Sequence, residues 1–186
     1  MTINAADVLL AHGEADRIAL ACGEERVTYA ELRDAVARAA GDWRRRGLAP
    51  GDRVAVKLPD GIPWVTAFLG AIWAGGVAVG VNPRLAATEW ETILQDARFR
   101  WILAESRDGT LATWHDRVVV LGEWAHSQRA ALPVPPLRQD PEAPAFWGHS
   151  SGTSGKPKAV VHPQRFALHC QRVLAIPSKR FERGIV

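Results

Sequence analysis

The sequence predicts an α/β protein, with a layered sheet that carries helices on both of its faces. Three observations lead to this prediction. Segments with strand patterns alternate with segments of helical periodicity, the strand segments are short apolar runs like those of buried sheets, and turn residues separate them. The length of 186 residues suits one domain, or one and a fraction.

The first half of the chain shows this alternation most clearly. Thr28 is a good N-cap, and Glu31 three residues later completes a capping box for a helix that ends at Gly47. Pro63 stands in the first turn of a later apolar helix, which Gly75 ends. The other predicted elements are a short helix over 7–12, strands over 18–21, 26–28, 53–58 and 77–81, and the apolar helix itself over 62–74.

The second half continues the pattern up to a proline-rich connector. Thr88, with Glu91 three residues on, predicts a capped helix that runs to about Ala97. Strands are predicted over 100–104, 118–121, 145–148 and 159–162, and helices over 123–131 and 163–174. We therefore expect an N-terminal α/β subdomain over 1–131, a connector over 132–144, and a segment over 145–186 that begins the next subdomain and leaves it incomplete.

Composition excludes several classes of protein. The net charge of +3 is small and scattered, which argues against nucleic acid, and the run Arg44–Arg46 reads as a solvated last helical turn. Two cysteines give no disulfide framework, and the N-terminus lacks a signal-peptide pattern, so a cytoplasmic location is expected. The uncharged stretch 61–82 is long enough for a membrane span, but Pro63 and Gly75 favour a buried helix followed by a strand.

One segment carries the chemistry, the loop over 150–158. It packs four hydroxyl side chains, two glycines and two lysines into nine positions. Glycines let backbone N–H groups approach a ligand, hydroxyls donate to phosphate oxygens, and lysines offset negative charge. The pattern therefore indicates a polyphosphate cradle between two strands, although a solvated loop is the alternative reading.

Two rival motifs overlap this loop. The Walker A pattern fails twice, because Ser150 replaces its first glycine and Pro157 replaces its metal-binding hydroxyl. The stretch 148–152 matches the GxSxG elbow of serine hydrolases, but that fold needs an acid and then a histidine after the serine. Glu182 is the only acidic residue after Ser150, and no histidine follows it.

Histidines near the loop do not predict a metal site. His149, His162 and His169 have no carboxylate or thiolate cluster beside them except Cys170. No metal ligand and no catalytic residue is therefore assigned. His149 borders the loop, and a contact with the ligand stays open as an alternative.

Residues 150–159, SSGTSGKPKA, resemble the third core motif of the adenylate-forming superfamily, roughly [ST]-S-G-[ST]-[ST]-G-x-P-K-G. This superfamily includes acyl- and aryl-CoA synthetases. The stretches RVTYAEL, GLAPGDRVAV and GAIWAGGVAVGVN agree in order, and the text is most similar to benzoate-CoA ligases. The resemblance covers about 16–174 and departs where Ala159 replaces the final glycine and His149 a frequent tyrosine.

The resemblance implies an ATP-dependent carboxylate–CoA ligase that works with Mg²⁺ and coenzyme A. By position, the nucleotide-binding residues would be Ser150, Ser151, Gly152, Thr153, Ser154, Gly155, Lys156 and Lys158. The family's later motifs are missing, so the chain looks like the N-terminal part of such an enzyme, and we expect it to be inactive by itself. The alternative is a non-catalytic nucleotide-binding or subunit module that needs a partner chain. The acid substrate and a homodimeric state stay open.

Overall fold

The computed structural model describes residues 1–107, 109–150 and 158–170, and of Thr110 and Ser150 only the backbone. Strands and helices alternate through these residues, as the sequence pattern predicts. The strands are β1 (Ile18–Cys22), β2 (Glu25–Thr28), β3 (Arg53–Lys57), β4 (Val77–Gly80), β5 (Trp101–Ala104), β6 (Val118–Val120), β7 (Pro144–Ser150) and β8 (Lys158–Pro163). The helices are α1 (Ala5–Leu10), α2 (Tyr29–Arg45), α3 (Ile62–Trp73), α4 (Ala87–Ala97), α5 (Leu121–Ala130) and α6 (Phe166–Cys170).

Six of the strands form one sheet in the order β6-β5-β3-β4-β7-β8. Neighbours from β6 to β7 run parallel, and β8 returns antiparallel beside β7. The strands β1 and β2 form a separate antiparallel hairpin. Because β7 and β8 extend the sheet built by β3 to β6, the sheet continues across the connector 132–144, and the division into subdomains there stays a proposal.

Two hydrophobic cores cover the two faces of this sheet. Val54 and Val56 of β3 face the core that contains α1, α2, α3 and α5, whereas Ala55 between them faces the core of α4. Strand residues alternate between faces, so each strand feeds both cores. Burying one such aliphatic side chain contributes roughly 1.5–3 kcal/mol. The predicted fold class, a layered sheet with helices on both faces, is confirmed.

Of the two capping boxes predicted from the sequence, one is correct and one is wrong. Thr28 caps α2 as predicted, since its hydroxyl accepts from the Glu31 N–H at 3.2 Å and Glu31 accepts from the Thr28 N–H at 2.8 Å. The predicted cap of α4 at Thr88 is wrong. The helix begins earlier, at Ala87, and the Glu89 carboxylate accepts the Ala86 N–H at 3.2 Å.

Two further features differ from the sequence predictions, and a third prediction lies partly outside the described residues. A 3₁₀ helix, Gly109–Arg117, lies between β5 and β6 where none was predicted. The arginine run is only partly solvated, because Arg45 and Arg46 bind the fully buried carboxylate of Asp42, the latter at 2.7 Å. The predicted last helix is described only as α6, and its remainder lies outside the described residues.

The N-terminal segment is held against the connector and the residue that follows β8. Ile3 bridges Gln139 of the connector, and the buried side chain of Gln164 accepts a hydrogen bond from the Ala5 N–H at 2.7 Å. The same glutamine donates to the side chain of Gln139 at 3.1 Å. These contacts fix the position at which the chain leaves β8.

Candidate nucleotide site

A cleft of about 710 Å³ opens at the carboxyl ends of β3, β4 and β7. Its lining includes Leu58, Pro59 and Asp60 after β3, Gly80 to Arg84 at and after β4, Phe146 to Gly148 of β7, and Trp64 and Phe68 of α3. Ligands of parallel α/β sheets bind in crevices outside the carboxyl ends of the strands. The cleft therefore lies where this fold places a ligand.

Aromatic rings form one wall of the cleft. Trp64 and Phe68, one turn apart on α3, stack with 4.7 Å between ring centroids, and Phe68 meets Phe146 at 5.8 Å. Behind this wall, Phe146 stacks on His162 of β8 at 4.5 Å, and His162 meets Phe166 at 4.5 Å. This continuous ring cluster fixes the β7–β8 hairpin to α3 and α6.

Gly80 allows this wall to approach β4 closely. A Cβ atom built at position 80 would stand 2.9 Å from the Trp64 ring, a separation that real Cβ contacts do not show. The absence of a side chain there lets the indole lie directly over the backbone at the end of β4. Any larger residue at position 80 would displace the aromatic wall from the strand.

The predicted phosphate loop is carried by the β7–β8 hairpin. The pairing runs to Ser150 opposite Lys158, so both ends of the loop are held by strand hydrogen bonds at the carboxyl end of the parallel sheet. Lys158 is exposed at the start of β8. The predicted site residues Ser151, Gly152, Thr153, Ser154, Gly155 and Lys156 lie outside the described residues, and so does the side chain of Ser150.

His149 lies beside the loop on the opposite face from the aromatic wall. Alternation along β7 places its side chain on the same face as Trp147, which packs against the α4 core. Its Nδ1 atom is buried and has no hydrogen-bond partner among the described residues. Burial lowers the pKa of the His149 imidazole, while a hydrogen bond with the Gly80 backbone and the charge of Asp96 oppose the shift. A neutral imidazole is therefore favoured.

Charged groups at the rim were not identified from the sequence. Arg84 and Asp60 line the cleft and are exposed, and the Lys57 ammonium donates to the Pro83 carbonyl at 3.1 Å. A usable signal existed, because each of these residues lies within three positions of the end of a predicted strand. The rule that ligands bind beyond strand ends singles out such positions.

The described part of the chain contains neither a candidate metal site nor a candidate membrane-spanning helix. No group of three or more histidine, cysteine, aspartate or glutamate side chains there is arranged to hold an ion. None of the helices in that part combines the length and apolar character needed to cross a bilayer.

Comparison with known proteins gives consistent matches. The model of the family described as AMP-binding enzyme matches residues 10–182. The chain is 32% identical to a 3-hydroxybenzoate–CoA/4-hydroxybenzoate–CoA ligase of Thauera aromatica, covering 92% of this chain and 37% of that protein. It is 34% identical to a 3-hydroxybenzoate–CoA ligase of Aromatoleum sp. strain CIB, covering 93% and 37%. The chain thus spans little more than a third of the length of these curated relatives.

Solved structures agree on the fold. A benzoate CoA ligase from Burkholderia xenovorans LB400 matches with a TM-score of 0.78 and 25% identity, over 94% of this chain and 37% of that one. The anthranilate CoA ligase AuaEII, solved in complex with anthranoyl-AMP, matches with a TM-score of 0.84 and 23% identity, over 94% and 36%. With the family match extending over most of the sequence, the chain belongs to the AMP-binding enzyme family.

Proposed function

We propose that residues 150–158 bind the polyphosphate of ATP, and that the protein serves as the N-terminal part of an ATP-dependent carboxylate–CoA ligase. One observation carries this proposal. The β7–β8 ladder ends at Ser150 and Lys158, and it holds the two ends of a Ser/Thr/Gly/Lys segment beside a cleft at the carboxyl end of the sheet. Backbone N–H groups, hydroxyls and ammonium groups at such a place suit phosphate oxygens.

In the proposed reaction of the whole ligase, the carboxylate oxygen attacks the α-phosphorus of ATP and pyrophosphate leaves. The thiol of coenzyme A then attacks the carbonyl carbon of the acyl-adenylate, and AMP leaves with the bonding electron pair. The contribution of this chain is positioning and charge stabilisation of the phosphates. The described residues offer no cluster for Mg²⁺, so we assign none of them to the metal.

The substrate class is proposed from likeness to relatives. Two of them are named for hydroxybenzoates, and a solved neighbour is a benzoate CoA ligase. We therefore propose an aromatic carboxylate for the whole ligase. For the 186 residues alone, we propose nucleotide binding without acyl-adenylate formation.

Calorimetric titration of the chain with ATP tests the phosphate role. We expect saturable binding, and we expect the double substitution Ser154→Ala with Lys158→Ala to weaken it by about tenfold or more, since a charge-assisted hydrogen bond contributes ~1.5–3 kcal/mol. Arg129→Ala, which removes an exposed charge on α5, is the matched control and should leave the affinity unchanged. Equal affinities in the double variant and the unchanged chain would refute the assignment.

Pyrophosphate exchange tests the second part of the proposal. The purified chain should not exchange labelled pyrophosphate into ATP when benzoate or hydroxybenzoates are supplied with Mg²⁺. Carboxylate-dependent exchange would show that these residues catalyse adenylation without further parts.

A further inference from the structure

A proline segment, residues 131–138, runs from the end of α5 into the connector and is bound to the domain at every third residue. Trp73 at the end of α3 holds two of these residues. Its indole donates to the Val134 carbonyl at 2.8 Å, and its carbonyl accepts from the Leu137 N–H at 2.9 Å. The Ala131 carbonyl accepts from a guanidinium of α2 at 3.0 Å. The residues that bind the domain are therefore spaced by three positions.

This spacing is that of a polyproline II helix, which has three residues per turn and no internal hydrogen bonds. Three of the eight residues are prolines, and proline holds φ at the value that this helix needs. Ala131, the first residue of the proline segment, has the backbone angles of the same helix, with φ at −73° and ψ at 147°. Spacing and composition together indicate a polyproline II helix that lies with one of its three faces against the domain.

The other two faces of the proline segment carry its most accessible side chains. Leu132 is 81% exposed, and the side chain of Arg138 is 58% exposed. Between them, Pro133 and Pro135 are exposed and Pro136 is partly exposed. The accessible residues thus form two apolar pairs, Leu-Pro and Pro-Pro, which an arginine follows.

Polyproline II helices with the pattern PxxP are recognised by modules such as SH3 domains, whose grooves are lined by aromatic side chains. Pro133 and Pro136 form this pattern. A helix that is already formed loses little conformational entropy on binding, which favours recognition. The guanidinium of Arg138, two residues after the pattern, suits carboxylates at the end of such a groove. Two faces of the helix can enter the groove, because the third face is the one that contacts the domain.

We propose that the proline segment is a docking site for a protein module of the SH3 type. The apolar pairs at 132–133 and 135–136 occupy its aromatic-lined groove, and Arg138 meets an acidic pocket beside the groove. In the unbound chain Arg138 lies 3.5 Å from Asp7, which has a second partner in Arg33 at the same distance. Arg138 can therefore turn to the module without leaving Asp7 unpaired. The proline segment contributes no residue to the lining of the cleft, so the inference stands apart from the proposed function.

Titration of the chain with a purified SH3 domain tests the docking site. The probe is a domain with acidic residues beside its aromatic groove, and the same domain with the groove aromatics replaced by alanine is the control. A peptide of residues 130–140 is titrated in parallel. We expect saturable binding of both the chain and the peptide to the probe, and none to the control domain. The chain should bind at least as tightly as the peptide, because its helix is formed in advance.

Proline substitutions locate the contact on the chain. Pro133→Ala with Pro136→Ala should weaken binding by about tenfold or more, because apolar contact and the restraint on φ are both lost. Pro50→Ala with Pro144→Ala changes two exposed prolines outside the proline segment and should leave binding unchanged. Thermal unfolding of both double variants is measured beside the titrations, and it should change little because the residues that anchor the segment are retained.

A second substitution tests the acidic pocket. Arg138→Gln should weaken binding by about tenfold, since a hydrogen bond between charged groups is lost. The remaining affinity should depend less on salt than that of the unchanged chain. Arg129→Gln, at an exposed position on α5, is the matched control and should change neither the affinity nor its salt dependence.

Four outcomes would overturn the proposal. If neither the chain nor the peptide binds the probe, these residues do not fit an SH3 groove. If the peptide binds and the chain does not, the fold does not present the two outer faces. If the two pairs of proline substitutions weaken binding equally, the contact lies elsewhere on the chain. If Arg138→Gln has no effect on affinity, the acidic pocket has no part in docking.

Discussion

Ser150 and Lys158 face each other as the last pair of the β7–β8 ladder, immediately before and after residues 151–157. The lysine is exposed, so its contribution to phosphate binding is subject to screening by salt. We predict that Lys158→Ala weakens ATP binding strongly at ~0.05 M salt and only weakly at ~0.5 M, where the Debye length is a few ångströms. Titrations at several ionic strengths check this. If the ratio of the ATP affinities of the unchanged chain and the Lys158→Ala variant does not change with salt, a charge interaction at Lys158 is refuted.

Stability should depend on pH through His149. Its pKa is lowered from the ordinary value of 6.5 by burial, so between the lowered pKa and 6.5 the unfolded chain binds more protons than the folded chain. The free energy of unfolding should therefore fall as the pH drops through this window and be unaffected by His149 above it.

The variant His149→Gln cannot titrate, so it should lose less stability than the unchanged chain when urea unfolding is compared at neutral and mildly acidic pH. His126→Gln, at an exposed position on α5, is the control and should retain the pH dependence of the unchanged chain. The same loss in the His149→Gln variant and the unchanged chain would contradict the role of burial at His149.

Two helical glycines should respond to alanine in opposite ways. At Gly70 of α3, an added Cβ would stand 2.5 Å from the Ala39 Cβ of α2, so Gly70→Ala should destabilise the fold by ~1–3 kcal/mol. At Gly122 of α5 no atom lies within 4 Å of an added Cβ, and Gly122→Ala should stabilise by about 0.5 kcal/mol through helix propensity. Denaturant unfolding of the two variants measures the sign of each change in the free energy of unfolding. A stabilised Gly70→Ala protein would mean that α2 and α3 pack less closely than the Gly70–Ala39 distance indicates.

Gln164 should be a large single contributor to stability outside the cores. Gln164→Leu keeps the approximate volume but leaves the Ala5 N–H without its acceptor, at an expected loss of ~1–3 kcal/mol. Gln95→Leu, on the exposed side of α4, is the control and should change stability little. If the two substitutions had the same effect on the unfolding free energy, the Ala5–Gln164 hydrogen bond would contribute nothing measurable.

Local signals predicted most of the fold because they act over a few residues. The Thr28–Glu31 capping box and the short apolar runs of the strands are contained in short windows, and both appear in the structure. At α4 two overlapping signals compete. Glu89 reaches back to the Ala86 N–H, and the turn from Asn82 to Leu85 brings the chain into the helix before Thr88. The helix start therefore coincides with the Ala86–Glu89 hydrogen bond and the turn before it, which the Thr88–Glu91 spacing does not include.

The cleft could not be predicted in the same way. Its residues come from three strands and α3, and they meet only because β7 inserts beside β4, far away in the sequence. The sequence located the strand ends but contained no direct information on strand order. The contact of Phe68 with Phe146, beside the Trp64–Phe68 stack, depends on that order, so the aromatic wall was not anticipated.

The hydrogen bond between Ala5 and Gln164 also affects the order in which parts of the protein can fold during synthesis. The two residues are 159 positions apart, so at ordinary translation rates the first is synthesised roughly 8–30 s before the second. Throughout that interval the Ala5 N–H at the start of α1 lacks its acceptor, so the native N-terminus of this helix is complete only after Gln164 has been synthesised.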